Sequence, residues 1–166
     1  MIGKFQISTR GFTLIELLVV ISLIGILAGV ILISLAGARE GARNAKRRAD
    51  LEQIRSGLEL YRTDCKKYPQ YSATVSSGKL TFGNPLTGDT DPLTSCTSSD
   101  TYISSVPQDS VSSSLYLYTG TPAGCAATCT GYELCTALEG QAGSVACGGS
   151  SACGTGITCN YKVTQP

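Results

Sequence analysis

The stretch of sequence that decides the fold lies at residues 11–38 and reads GFTLIELLVVISLIGILAGVILISLAGA. Its last 22 residues, from Leu17 to Ala38, contain no charged side chain. At about 1.5 Å of rise per residue they form a helix roughly 33 Å long, which is enough to cross the hydrocarbon core of a bilayer. A secretory signal peptide is the alternative, but its apolar region is usually about 7 to 15 residues long. The stretch therefore predicts one transmembrane helix.

Basic residues flank this apolar stretch on both sides. Lys4 and Arg10 precede it, which favours a cytoplasmic N-terminus by the positive-inside tendency. A second basic group follows it and favours the opposite orientation: Arg39, Arg43, Lys46, Arg47 and Arg48. Charge counting alone therefore leaves the orientation open.

One carboxylate interrupts the apolar pattern. Glu16 lies near the start of the predicted span, where an unpaired ionised group is costly to bury. The segment that contains it, GFTLIE at residues 11–16, follows a basic leader and precedes an unbroken apolar run. In this arrangement the sequence resembles the processing motif of the type IV pilin and type II secretion pseudopilin family, whose precursors carry a class III leader. The resemblance is close over residues 1–70.

The resemblance implies that the N-terminus is processed. A membrane aspartic peptidase, the prepilin peptidase, is expected to cut between Gly11 and Phe12 on the cytoplasmic face, and the new amine of Phe12 is expected to be methylated. The cut creates an ammonium group about one helical turn from Glu16. The resemblance assigns Glu16 to the Phe12 amine of a neighbouring subunit, and this attraction is much stronger in a low-dielectric filament core than in water. The alternative is that Glu16 only extends towards the lipid headgroups.

Two glycines form a GxxxG pattern within the span. Gly25 and Gly29 allow helix backbones to approach closely in lipid or in a filament. Glycine is also frequent in membrane helices that make no specific dimer, so ordinary packing is an equal alternative. Related pilins commonly have a helix-breaking proline near the position of Ile33, and this sequence has none there.

The helix is predicted to continue through residues 36–64, because no proline occurs before Pro69 and charges of both signs recur at helical spacing. Two apolar stripes follow different faces of it. The small stripe consists of Ala38, Ala42, Ala45 and Ala49, and the bulky stripe consists of Leu51, Ile54, Leu58 and Tyr61. We expect the small stripe to contact neighbouring helices and the bulky stripe to support a sheet, because bulky side chains bury more area. An ordinary amphipathic stalk is the alternative.

The charges of the helix and of the region after it have opposite signs. Residues 39–67 carry nine positive and five negative side chains, a net charge of +4, whereas residues 68–166 carry two positive and six negative, a net charge of −4. This asymmetry favours staggered stacking of subunits, although exposed ion pairs contribute only about 1 kcal/mol or less each. The basic run at residues 43–48 favours a solvated stalk first and anionic lipid second, and no specific nucleic acid is predicted.

The region after Pro69 is predicted to be a small, loop-rich head. Ser, Thr, Gly and Asp dominate to about residue 110, and three strand candidates follow at residues 115–119, 132–138 and 160–163. One antiparallel sheet of these strands, laid on the bulky helix stripe, gives the α+β, pilin-like head that the resemblance implies. The predicted organisation is a leader at 1–11, a transmembrane and filament-core helix at 12–38, an amphipathic continuation at 39–65 and a cysteine-rich head at 66–166.

All eight cysteines lie beyond the apolar segment. An even number in a Gly/Ser/Thr-rich region predicts disulfide bridges in an oxidising compartment, and spacing alone leaves 105 possible pairings. Zinc is the alternative, but paired CxxC motifs and histidine are absent from the sequence. The candidate disulfide cysteines are Cys65, Cys96, Cys125, Cys129, Cys135, Cys147, Cys153 and Cys159.

Composition argues against catalysis. The sequence contains no histidine, the commonest general base and metal ligand, so we expect no enzyme and no resident cofactor. Asp89, Asp91 and Asp100 lie in a polar loop and resemble the acidic calcium loops of some major pseudopilins, but their spacing matches no EF-hand. Turn-forming aspartates are the favoured interpretation.

These features together predict a structural subunit of a type IV pilus-like filament. Its expected partners are copies of itself, the prepilin peptidase, the pilus assembly platform, minor pilins and, before assembly, membrane lipid. We expect a single-pass membrane precursor that becomes an extracellular or periplasmic filament subunit. Two alternatives remain open: a pseudopilin of a type II secretion or competence system, and a monomeric membrane-anchored binding protein or adhesin.

Overall fold

A computed structural model describes residues 11–71, 79–89, 95–111, 115–125 and 129–166, with the side chains of residues 32–34 and 36 excepted. Residues 1–10 of the predicted leader, Asp91 and the side chain of Ile33 lie outside the described residues. The chain consists of two compact units, Met1–Gly41 and Ala42–Pro166.

A single long helix, α1, extends from Leu14 to Cys65 and confirms the predicted continuous helix. Its end coincides with a left-handed residue, since Lys66 has a φ of 58° and its backbone N–H donates to the carbonyl of Arg62 at 2.9 Å. This is the geometry of an αL helix cap, here made by lysine where glycine is usual. The Lys66 ammonium also donates to the carbonyl of Thr63 at 2.6 Å, which satisfies another acceptor of the last turn.

Seven short strands follow α1 in the described part of the chain. Strands β1 (Gln70–Tyr71) and β2 (Lys79–Leu80) pair in parallel, and β3 (Leu86–Thr87) pairs antiparallel with β4 (Thr101–Ile103). The largest sheet is antiparallel, in the order β5-β6-β7, and consists of Leu117–Thr121, Gly131–Thr136 and Tyr161–Thr164.

The three strands predicted from sequence correspond to β5, β6 and β7, with ends displaced by one or two residues. The observed fold is therefore the predicted α+β class. The first four strands were not predicted. Each has only two or three residues, too few for an alternating pattern to emerge from the surrounding polar sequence.

The bulky helix stripe packs against the sheet, as predicted. Its four members are fully buried, and they share one hydrophobic core with Tyr132 and Leu134 of β6. Successive strand residues point to opposite faces, so Tyr132 and Leu134 face α1 while Cys135 faces away. The small stripe of alanines is exposed in this unit at positions 42, 45 and 49, and its expected contact with neighbouring helices stays a prediction.

A second, smaller core lies on the other face of the sheet. It is built from the buried residues Cys135, Ala137, Cys147, Cys153 and Cys159. Most of these come from the connection between β6 and β7, which folds back over the outer face of β6. The sheet is thus covered by the helix on one face and by a disulfide-bonded loop on the other.

Candidate assembly site

The N-terminal end of α1 holds the residues that the sequence singled out for assembly. Glu16 accepts a hydrogen bond from the backbone N–H of Thr13 at 2.9 Å and another from the Thr13 hydroxyl at 2.8 Å. In return, the backbone N–H of Glu16 donates to the Thr13 hydroxyl oxygen at 3.3 Å. This reciprocal pair is a capping box, in which Thr13 is the N-cap and Glu16 is the third helical residue.

Sequence reasoning missed Thr13, although its signal was present. A threonine three residues before a glutamate, followed by an apolar run, is the usual pattern of a capping box. Glu16 therefore stabilises the first turn of α1 within its own subunit. This contact is separate from the intersubunit role that the resemblance assigns to the same carboxylate.

The side chains around Glu16 are exposed. Phe12 and Leu14 are each 88% exposed, and a Cβ built on Gly11 meets no atom within 4 Å. The stretch Leu14–Ile31 has a mean hydropathy of 2.8 with none of its residues buried, so length and composition suit a membrane crossing. Gly25 and Gly29 also face open space. This unit presents an uncovered apolar surface with one carboxylate near its start.

The basic run after the span is engaged by the head of the same chain. Arg47 is only 3% exposed, and its guanidinium binds Asp109 at 2.7 Å and Glu139 at 3.1 Å. Arg43 also binds Glu139, through two nitrogens, and this hydrogen bonding holds the pKa of the Glu139 carboxyl below its usual range. The expectation of a solvated basic run was therefore wrong for Arg47. Sequence could not reveal it, because the partners lie 62 and 92 residues further along the chain.

Most described acidic residues of the head are paired within the chain. Asp89 binds Lys67 at 2.9 Å, and Glu133 binds Lys162 at 2.8 Å. Together with Asp109 and Glu139, these pairs neutralise much of the head's negative charge inside one subunit. The net charges counted along the sequence therefore overstate the attraction available between subunits, and electrostatic stacking stays a prediction for the remaining charges.

Carboxylates of α1 also hold tyrosines of the head. The hydroxyl of Tyr116 donates to Asp50 at 2.8 Å, and that of Tyr102 donates to Asp64 at 3.1 Å. Burial, followed by the hydrogen bond to Asp64, raises the pKa of Tyr102 to about 12. The Tyr68 hydroxyl binds Glu59 in the same way at 2.9 Å. These polar contacts fix the register of the helix against the head at the edge of the apolar core.

All eight cysteines are joined in disulfide bonds. The pairs are Cys65–Cys96, Cys125–Cys129, Cys135–Cys147 and Cys153–Cys159. The first ties the end of α1 to the loop before β4, and the last two hold the connection between β6 and β7. Bridging, the interpretation preferred over zinc, is what the structure shows.

The aspartates considered for calcium have other partners. Asp100 accepts hydrogen bonds from the backbone N–H and the hydroxyl of Thr97 at 3.0 and 2.8 Å, which is a turn-supporting role. Asp89 is paired with Lys67. Within the described part of the chain, no three His, Cys, Asp or Glu side chains come together in a group that could hold a metal ion.

Comparison with known families places these features in one class of proteins. Residues 8–32, which include the capping box and most of the apolar helix, match the prokaryotic N-terminal methylation motif. The protein is thus of the pilin class, whose subunits share this N-terminal segment. Residues 34–137 match the family described as type II secretion system (T2SS), protein G. Because that match spans more than half of the chain, the chain belongs to the type II secretion system protein G family.

Individual relatives agree with this placement. The type II secretion system core protein G of Pectobacterium carotovorum is 34% identical over 107 residues, which are 64% of this chain and 65% of that protein. Protein G of Escherichia coli K12 is 37% identical over 68 residues, 41% of this chain and 47% of that protein. The type IV wide pilus major component PilA4 of Thermus thermophilus is 39% identical over 70 residues, 42% of this chain and 53% of that protein.

These similarities span less than two thirds of the length of the curated relatives. No solved structure matches the chain significantly. The T2SS family match ends at residue 137, so the disulfide-bonded connection that covers the outer face of the sheet lies beyond it.

Proposed function

We propose that this chain is a structural, non-catalytic subunit of a type IV pilus-like filament, and that the filament is the pseudopilus of a type II secretion system. The observation that supports the proposal is that one chain matches two families, in adjacent segments. The methylation motif covers the start of α1, and the protein G family covers the rest of the helix and the head as far as the end of β6. A subunit of this kind enters the membrane by α1 and leaves it by packing the same helix into a filament.

Processing of the N-terminus is part of this proposal. The prepilin peptidase would cut between Gly11 and Phe12, and Phe12 would then be methylated. Both residues lie before α1 begins at Leu14, in a stretch that other parts of the described chain leave uncovered. The mature subunit would consist of a filament-core helix at 12–38, its continuation at 39–65 and a head at 66–166.

Glu16 would then have two roles. In the free subunit it caps α1 through Thr13, and in the filament it would neutralise the Phe12 ammonium of a neighbour. The exposed apolar side chains of the Leu14–Ile31 stretch would be covered by lipid before assembly and by neighbouring helices afterwards. Other expected partners are further copies of the chain, the assembly platform and minor pilins.

The capping box allows the two roles of Glu16 to be separated. Glu16→Gln keeps a side chain that can complete a capping box but removes the charge, whereas Thr13→Ala removes the cap and keeps the charge. If the charge registers subunits, Glu16→Gln should abolish incorporation into sheared filaments while membrane insertion and leader cleavage persist. Thr13→Ala should weaken the first turn by about 1 kcal/mol and retain assembly.

Assembly is measured by the amount of the chain in sheared filaments, and cleavage by the mass of the membrane-bound subunit. Glu40→Ala, which removes an equal charge from α1 outside the apolar span, is the matched control and should assemble normally. Normal filaments from Glu16→Gln would contradict the charge role. A mature mass that still includes the first eleven residues would contradict the processing step.

A type IV pilus is the second candidate for the filament. The similarity to the wide pilus component PilA4 favours it, because that relative is 39% identical to this chain over 70 residues. A membrane-anchored monomeric binding protein is the alternative of another class. Finding this chain repeated along purified filaments would exclude the monomer, and its dependence on secretion or on pilus genes would distinguish the two filaments.

A further inference from the structure

The four disulfides differ in how far they are accessible to solvent. Seven of the eight cysteines are buried, each at 3% exposure or less, and Cys125 alone is half-buried. Its partner Cys129 is 1% exposed. The Cys153–Cys159 bridge closes a loop of similar length, with a separation of 6 residues against 4, yet both of its cysteines are fully buried. The exposure of Cys125 therefore does not follow from the short length of its loop.

The Cys125–Cys129 bridge lies on the backbone of β5 beside an open cleft. A Cβ built on Gly120 would lie 2.8 Å from the Cys129 sulfur and 3.0 Å from the Cys125 sulfur, so only glycine leaves room for the bridge there. A cleft of about 300 Å³ opens between Gln70, Tyr71, Gly120 and Cys125. None of the described residues that line it is acidic, so no carboxylate there repels an incoming anion.

We propose that Cys125 is a site of thiol–disulfide exchange, at which a thiolate from solution attacks the Cys125 sulfur. In this step the sulfur of the thiolate forms a bond to Cys125, and the bond between Cys125 and Cys129 breaks. Cys129 leaves as a thiolate and takes a proton from solvent. The reverse attack by Cys129 on the mixed disulfide restores the original bridge and releases the thiol. The co-reactant is a small thiol or the active-site cysteine of a Cys-X-X-Cys oxidoreductase.

Opening this bridge would act on the segment that follows α1. The carbonyl of Cys129 accepts a hydrogen bond from the backbone N–H of Tyr68 at 2.9 Å, and the carbonyl of Cys125 accepts one from the side chain of Gln70. Cys125 and Cys129 together thus form an anchor for residues 68–70. Exchange at Cys125 would loosen this anchor while the other three bridges keep the rest of the head intact.

The test uses the full chain in detergent micelles, treated with reduced glutathione, quenched with acid and mapped by mass spectrometry after alkylation. We expect glutathione on Cys125 and the alkylating group on Cys129, at a rate at least about tenfold above that of any other bridge, because buried bridges react only after local unfolding. A parallel arm uses a Cys-X-X-Cys oxidoreductase lacking its second cysteine, which traps the protein adduct. An adduct in this arm alone would assign the thiol to a protein.

The Cys153→Ser/Cys159→Ser variant is the matched control and should keep the fast reaction at Cys125, whereas Cys125→Ser/Cys129→Ser should lose it. Four bridges that react at one common rate would overturn the proposal, and so would glutathione found first on Cys129 or on the C-terminal cysteines. Absence of any adduct in both arms would also overturn it. The map of the unmodified chain decides the question even if a serine variant fails to fold.

Discussion

The two faces of the β5-β6-β7 sheet are covered by different means. The face towards α1 is packed with large side chains, among them Leu58, Tyr61 and Tyr132, and is bordered by ion pairs and tyrosine–carboxylate hydrogen bonds. The outer face is covered by a loop of small residues held by the Cys135–Cys147 and Cys153–Cys159 bridges. A helix supplies enough apolar area to hold a sheet by burial, whereas a Gly/Ser-rich loop does not and is restrained by covalent bonds instead.

Removing the cation of an ion pair should produce the largest difference in stability between the two faces. Arg47→Met removes the cation beside Asp109, whose side chain is only 3% exposed, and leaves a buried charge to which the backbone N–H of Val111 still donates at 3.0 Å. We expect a loss of about 3 to 5 kcal/mol in the free energy of unfolding. On the outer face, Lys162 and Glu133 are 30% and 24% exposed, so Lys162→Met should lose about 1 kcal/mol or less.

Urea unfolding of the full chain in micelles, followed by near-ultraviolet circular dichroism of the tyrosines, measures both variants. A second variant with Arg47→Met and Asp109→Leu should recover part of the loss, because neither charge is then left buried alone. Equal losses for Arg47→Met and Lys162→Met would remove the distinction between the faces.

Replacing a disulfide by serines should produce a smaller difference in stability between the helix side and the outer loop. Cys65–Cys96 ties α1 to the head across 31 residues, whereas Cys153–Cys159 spans 6 residues within the outer loop. By the chain-entropy relation, replacing the first pair by serine should cost about 4 kcal/mol and replacing the second about 2 kcal/mol. The midpoints of urea unfolding under non-reducing conditions test this order, and the reverse order would show that loop length does not set the contribution of these two bridges.

Replacing a single tyrosine should produce the smallest loss of stability. Tyr102→Phe removes one hydrogen bond to Asp64, which contributes about 0.5 to 1.5 kcal/mol at neutral pH. The folded protein raises the pKa of Tyr102 to about 12, above the value of about 10 for an unfolded chain. The unfolded state therefore loses its proton first, so this stabilisation is complete below about pH 10 and is lost as the pH rises towards 12.

The difference in stability between the original chain and Tyr102→Phe should accordingly shrink between pH 10 and pH 12. Tyrosinate absorbance recorded with the unfolding curves follows the ionisation itself. A difference that stays constant across this pH range would show that Tyr102 is not protected by burial and by Asp64.

Local patterns predicted much of the fold. The bulky stripe on α1 was readable because helical spacing places residues 51, 54, 58 and 61 on one face, and β5 to β7 were readable from aromatic and β-branched residues. Residues 70–71 and 86–87 form strands only because other segments lie beside them. Two-residue strands have no pattern of their own, so their pairing depends on the finished fold.

The candidate site was predicted unevenly for the same reason. Glu16 stood out because a carboxylate beside an apolar run is conspicuous, and the capping partner Thr13 was detectable three residues away. Arg47 looked like one of several solvated bases, since nothing near it in sequence marks Asp109 as its partner. The cysteines indicated bridging, but which pairs form depends on distances that only folding sets.

By itself the sequence determined the N-terminal methylation motif, the long apolar helix, the bulky stripe that receives the sheet and the presence of bridges. These features are local, because each depends on residue type and on spacing within a few turns. The tertiary structure alone decided which charges are buried together, which cysteines join and which bridge stays open to solvent. Those depend on side chains far apart in the chain, whose proximity results from packing the head as a whole.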